Sequence, residues 1–316
     1  MNSDNQLKLP KTNRWEGSIP LPPNEDTLPV IKAHRWLQVR DAGQWTNIEG
    51  LGFDLQNSLY FVIPCEGQIR VVTFPDRTMA TIYDDKGASQ PSCVKFHKDG
   101  RIFTADIKNS KVYAINPDGT GKTDIVTGIN CADDIIFDKQ GNFYITELDG
   151  DCRNRKSRIF RVSSDFKKVD VVISGYGGAN GIALAPDDKY LYTTDFTGNE
   201  LIRSQFMPDG VTLAKINGCE VIYRFTGSCG PDSTYVDADG NIYQPIWSQG
   251  RVLVLDERGI PLANVLLEDR NKFLDCTSVS IKPGTREGYI VAAGTGGSAI
   301  FSFIALGKAI KMFSHR

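Results

Sequence analysis

One pattern recurs six times along this chain and decides what it can fold into. A strand-like run is followed by a tight turn and a second strand-like run. The copies are EGLGFDLQNSLYFV (49–62), SCVKFHKDGRIFTA (92–105), DDIIFDKQGNFYIT (133–146), NGIALAPDDKYLYTT (180–194), DSTYVDADGNIYQP (232–245) and TSVSIKPGTREGYIV (277–291). Their starts lie 43, 41, 47, 52 and 45 residues apart. A third strand follows each, as in KVYAIN, RIFRVS and RVLVLD. Repeats of about 40–50 residues, each an antiparallel meander of four strands, are the signature of a β-propeller. The expectation is therefore an all-β, six-bladed β-propeller, with four-stranded antiparallel blades around a central channel. Two β-sandwiches would not produce so regular a period. Residues 1–30 read as an N-terminal extension and 31–316 as a single propeller domain. The segment IKAHRWLQV (31–39) supplies a strand that closes the ring with the last blade, because closure removes an open sheet edge.

The bulk numbers exclude several classes. With 316 residues, 41% apolar, a large core is within reach. A net charge of −2 without basic blocks argues against nucleic acid or an anionic membrane as a partner. The polar start MNSDNQLKLPKTNRW lacks the apolar core of a signal peptide, and no apolar run approaches the roughly 20 residues of a spanning helix. Seven cysteines, odd in number and without CxxC, suggest neither a disulfide framework nor a zinc site. A soluble, cytoplasmic protein with reduced thiols is expected.

Aligning the copies exposes one column: Glu49, Ser92, Asp133, Asn180, Asp232 and Thr277. Each is an oxygen-bearing side chain at the start of its blade's first strand. That strand is innermost in a propeller, so the column should ring one mouth of the channel. Three carboxylates and an amide converging there repel one another without a cation and bind one with it. Glu49, Asp133, Asn180 and Asp232 are accordingly expected to hold a divalent metal ion. An all-oxygen set favours Ca2+, with Mg2+, Mn2+ or Zn2+ as alternatives. Strand alternation points the neighbouring Asp134 to the other face of its strand, or back into the turn, and so away from the axis. Asp99, Asp138 and Asp237 are turn residues. His34, His97 and His315 read as surface residues rather than ligands.

The loops between second and third strands should return to the same mouth. They bring Glu147, Asp195 and Trp247 near it, with Ser92 and Thr277 of the column and Ser233 beside it, as candidate substrate-pocket residues. The loop around Arg153, Asn154, Arg155 and Lys156 is the longest of the six and reads as a solvated charge run.

From about Trp36 to Gly307 the sequence resembles the gluconolactonase and senescence-marker-protein (regucalcin-like) family, most of all its drug-responsive lactonases. IEGLGFD, CADDIIFD, ANGIALAPDD, FTGSCGPDSTYVD and QGRVLVLDERG carry the resemblance. It implies a divalent cation on the positions of Glu49, Asp133, Asn180 and Asp232, and a catalytic proton donor at Asp232. Ser233 matches a residue of a second calcium site found in drug-responsive lactonases. The loops for that site are short here, and a second ion is not expected. The implied activity is metal-dependent hydrolysis of the ester bond of a small lactone. An isomerase, lyase or cyclase acting on a carbonyl substrate, or a non-enzymatic calcium-binding propeller, is the alternative. No Ser–His pair offers a nucleophilic route, since no histidine falls near the column.

Overall fold

The computed structural model describes residues 20–227 and 230–315. Within them the chain is built of strands, joined by tight turns and a few short 3-10 turns. No helix there is long and apolar enough to cross a membrane. Residues 1–19 of the expected N-terminal extension lie outside the described residues.

Strand β1 (Val30–Arg40) precedes the first repeat. That repeat forms β2 (Glu49–Phe53), β3 (Leu59–Ile63), β4 (Gln68–Thr73) and β5 (Thr78–Asp84). The second forms β6 (Lys95–Phe96), β7 (Ile102–Asp106), β8 (Lys111–Ile115) and β9 (Thr123–Thr127). The third gives β10 (Ala132–Phe137), β11 (Phe143–Glu147), β12 (Ser157–Val162) and β13 (Val169–Tyr176). The fourth gives β14 (Ala179–Leu184), β15 (Tyr190–Asp195), β16 (Glu200–Gln205) and β17 (Cys219–Arg224). Each of these four repeats is a separate four-stranded meander in a propeller-like arrangement.

The last two repeats depart from the expected pattern of six separate blades. They comprise β18 (Tyr235–Val236), β19 (Ile242–Ile246), β20 (Arg251–Leu255) and β21 (Pro261–Leu267), then β22 (Asp275–Ile281), β23 (Glu287–Gly294) and β24 (Gly297–Ile304). Together with β1 they make one eight-stranded sheet. The cause is the length of β1. Its first part, Val30–Ala33, runs parallel to Asn264–Leu267, and its second part, His34–Arg40, runs antiparallel along β24. One strand thus covers two edges that would otherwise be open.

Neighbouring sheets meet in sequence: β2 touches β6, β10 touches β14, β14 touches β18 and β22 touches β2 through inner strands, while β7 touches β10 and β19 touches β22 through a second strand. Apolar residues fill the spaces between neighbouring sheets. Phe103 of one sheet meets Phe137 and Phe143 of the next, with ring centroids 5.3 and 6.0 Å apart. Burying each such ring stabilises the fold by roughly 1.5–3 kcal/mol.

Turns between first and second strands follow the expected chemistry. Asp138 Oδ1 accepts the amides of Gln140 and Asn142, each at 2.9 Å, and Asp237 repeats the arrangement with Asp239 and Asn241. These turns gather on one face, where the C-terminal segment crosses them. Lys308 O accepts the Ala238 amide at 2.9 Å, and the Ala309 amide donates to Thr285 O at 3.0 Å. Phe313 stacks on Phe137 at 5.4 Å, and His315 Nε2 lies 3.2 Å from Asp54 O. A cavity lies between this strap and inner-strand residues such as Leu51, Val94 and Ile136.

The strap also corrects the expectation for two histidines. His97 is packed among the rings of Phe103, Phe137, Phe166 and Phe313 rather than at the surface. His315 is half-buried against Asp54.

Candidate active site

The inner strands begin irregularly, and this irregularity aims the site. The pairing register shifts between Glu49 and Gly52, between Ala132 and Ile135, between Ala179 and Ile182, and between Cys276 and Ser278. Such bulges bend a strand and redirect its side chains. Ser92 and Asp232 just precede β6 and β18, next to isolated bridges at Pro91 and Pro231. The six column residues therefore share one structural position.

Close approach between the inner strands needs glycine after two of them. A Cβ on Gly181 would stand 2.3 Å from Asp232 O, and one on Gly50 would stand 2.5 Å from Cys93 Cα. Gly50 also has φ +66°, a region that side chains disfavour.

Two column members stitch neighbouring sheets together. The Ser92 hydroxyl donates to Asp133 O, and Thr277 Oγ1 donates to Ile48 O at 2.6 Å. Thr194 Oγ1 similarly donates to Asp232 O at 3.1 Å while accepting the Gly181 amide at 2.7 Å. These bonds fix the backbone beneath Asp133, Asn180 and Asp232.

The remaining four members form a charged set. Burial pushes the Glu49 carboxyl up to about 7, Asn47 opposes this by donating a hydrogen bond, and the charge of Asp134 adds to it. Asp133 is raised well above the ordinary carboxylate range by burial and then by Glu49, Asp232 and Asp134. Asp232 is raised likewise by burial and Glu49, against the Ser233 amide, which donates to its Oδ1 at 2.9 Å. Like charges close together in a dry environment disfavour ionisation. Asn180 Oδ1 is buried without a hydrogen-bond partner. An amide oxygen in that state costs about 1–3 kcal/mol.

Among the described residues, no group of three or more His, Cys, Asp or Glu side chains stands as a ready-made metal cage. The four-residue set includes an amide, and all its donors are oxygens. Its mutually repelling carboxylates and the orphaned Asn180 oxygen fit a hard divalent cation.

Asp134 does not turn away as alternation implied. Its carboxylate is buried, its Oδ1 lies 3.0 Å from Lys95 Nζ, and its charge acts on Glu49, Asp133 and Asp232. The register shift across Ala132–Ile135 breaks the alternation on which that expectation rested. Lys95 itself went unnoticed in the sequence. It is the only charged residue three positions beyond a column member, the others being Gly52, Ile136, Ala183, Tyr235 and Ser280, and that was the available signal. Asp275 was also missed. It raises Asp232 further and accepts the indole N–H of half-exposed Trp45 at 3.0 Å.

The loop candidates are held by partners of their own. Glu147 is clamped by two 2.7 Å bonds from Arg158. Asp195 accepts the amides of Gly177, Gly178 and Gly198 and pairs with Arg155 at 2.9 Å. Arg155, from the supposed solvated run, thus joins the loop to two buried acids, Asp195 and Glu200. Trp247 is half-buried, its amide donating to Gly230 O at 3.2 Å. Ser233 lines the cavity above the strap, and its amide also donates to Thr277 O at 3.1 Å.

Comparison with known proteins bears on this arrangement. Residues 49–277 match the family model described as SMP-30/Gluconolactonase/LRE-like region. A protein of Staphylococcus saprophyticus named lactonase drp35 is 35% identical over 96% of this chain and 97% of its own length. Among solved structures, the calcium-binding protein regucalcin from Agrobacterium tumefaciens superposes with a TM-score of 0.72 at 16% identity, covering 89% of this chain and 98% of that one. A Xanthomonas campestris gluconolactonase superposes with a TM-score of 0.69 at 16% identity, covering 84% and 88%.

Proposed function

We infer that this chain, which belongs to the SMP-30/gluconolactonase/LRE-like family, is an enzyme that hydrolyses the ester bond of a small lactone at the channel mouth. The carrying observation is the meeting of three carboxylates, each raised by burial and by its neighbours, with an unpartnered Asn180 oxygen. The lactonase name of the staphylococcal relative supports the same reading. Glu49, Asp133, Asn180 and Asp232 would hold one divalent ion, Ca2+ first. When bound, such an ion polarises a carbonyl and stabilises the oxyanion that develops on it.

The chain's own residues do the rest. The Ser233 amide fixes Asp232 Oδ1, which leaves Oδ2 to take a proton from the attacking water and return it to the departing alkoxide. Ser92, Thr194 and Thr277 hold the inner-strand backbones in register, so the four side chains keep their convergence. On this reading the eight-stranded sheet is two blades bridged by β1, giving six blades in a single domain from residue 31 onward. The succession of contacts from each repeat to the next, and from the last back to the first, supports that count.

The test is elemental analysis after desalting, followed by a lactone panel with and without chelator. Bound metal and chelator-sensitive turnover are expected. An empty protein at millimolar calcium, magnesium and manganese removes the ion, and turnover indifferent to chelation removes its role. Binding without turnover of any carbonyl substrate would make the protein a calcium-binding propeller instead.

A further inference from the structure

Five carboxylates stand around this mouth, yet the proposed ion needs only three of them. Asp134 follows Asp133 directly, is buried, and has its Oδ2 without any hydrogen-bond partner. Its other oxygen, by contrast, is held by two donors. Oδ1 receives the Ile135 amide at 2.8 Å and the Lys95 ammonium at 3.0 Å. Lys95 comes from β6, the inner strand of the neighbouring sheet, and its side chain is only 18% exposed, against 3% for Asp134.

We propose that Lys95 is a positioning residue that holds Asp134 out of the ion's coordination shell and so keeps a place open for water and substrate. This rests on the reading of the mouth as an ion-binding centre. A buried carboxylate without a counter-ion is strongly driven toward the nearest cation. Calcium takes six to eight oxygens, so an extra carboxylate would fill a position that a lactone carbonyl or its attacking water requires. The ammonium offers Asp134 a partner of its own. Asp134 adjoins the proposed ligand Asp133 in the chain, and its buried Oδ2 has no partner to hold it elsewhere.

Eu3+ luminescence lifetimes in H2O and D2O count the waters on a bound ion, whatever the activity. Wild-type protein loaded with Eu3+ should carry at least two. Lys95→Met should lose about one of them and bind Ca2+ about tenfold or more tightly, because another charged ligand has entered the shell. The double variant Lys95→Met/Asp134→Asn should recover the wild-type water count. Asp134→Asn alone should leave the count unchanged, which tests the assignment even if Lys95→Met does not fold. An unchanged count in folded Lys95→Met, or an extra water in Asp134→Asn, overturns the assignment while leaving the ion site standing. Failure of wild-type protein to bind either Eu3+ or Ca2+ overturns the ion reading itself, and the role of Lys95 with it.

Discussion

Asp232 has two duties in the proposed reaction, and one substitution separates them. Asp232→Asn keeps an oxygen donor of nearly the same shape but cannot carry a proton. Lactone turnover should fall by roughly 10²–10⁴-fold even at saturating metal. Asn180→Ala removes only a neutral ligand, so added ion should restore much of its activity. A metal titration of both variants distinguishes the roles, and full rescue of Asp232→Asn would reduce Asp232 to a ligand. The column also sets a pH dependence for the metal-free protein. Glu49 goes from an ordinary 4.5 to about 7 on folding, so the folded state holds a proton that the unfolded chain releases. That stabilising contribution is complete below about 4.5 and is lost as pH rises through about 7. Asp133 and Asp232 are shifted in the same direction. The Tm of metal-free protein should therefore drop by several degrees, about 2–4 °C per kcal/mol, between pH 5 and pH 8. Calcium should flatten that slope, and a chelated sample with a flat profile would contradict the shifts.

At the scale of the strand, the site depends on how closely inner strands approach. Gly181→Ala places a methyl against Asp232 O and the Thr234 amide, neither of which can yield without shifting Asp232, a proposed ligand. A cost of about 1–3 kcal/mol in stability is expected, with a larger proportional loss in ion affinity, read by thermal melts and calcium titration. The strands and the Asp-x-x-Gly turns were legible in the sequence because both are local. Alternation and turn residues report on a few neighbours along the chain. The column was legible for another reason: six copies could be laid side by side, and a position polar in all six cannot be explained by one turn. Asp134 was misread because alternation assumes a regular pleat, and the bulge that breaks it arises only when β10 pairs with β11. Glu147 and Asp195 looked available because their partners, Arg158 and Arg155, lie on strands and loops whose approach no local pattern announces.

At the scale of the molecule, segments outside the repeats hold the repeats together. Glu25 lies before β1 and is fully buried with Arg251, 2.5 Å from its guanidinium, while Asn264 donates to the Glu25 carbonyl at 2.8 Å. Glu25→Ala would leave the Arg251 charge buried with its carboxylate partner gone. Loss of one partner from a buried pair costs about 3–5 kcal/mol, so the variant should show a markedly lower denaturation midpoint, with little change in lactone specificity. The double pairing of β1 could not be read in advance, since one edge it covers belongs to β21 and the other to β24. At the opposite end, residues 308–315 reach turns spread across the molecule, down to Asp54. This arrangement has a consequence for the protein's birth. While the ribosome is still holding the last few dozen residues, β1 has neither β24 nor a finished floor of turns to rest on. The early meanders can form one by one as they emerge, but the edge of β1 that pairs with β24 stays open until Gly297–Ile304 is made. A chain cut short before Gly297 would leave that edge of β1 unpaired, a template for pairing with other chains.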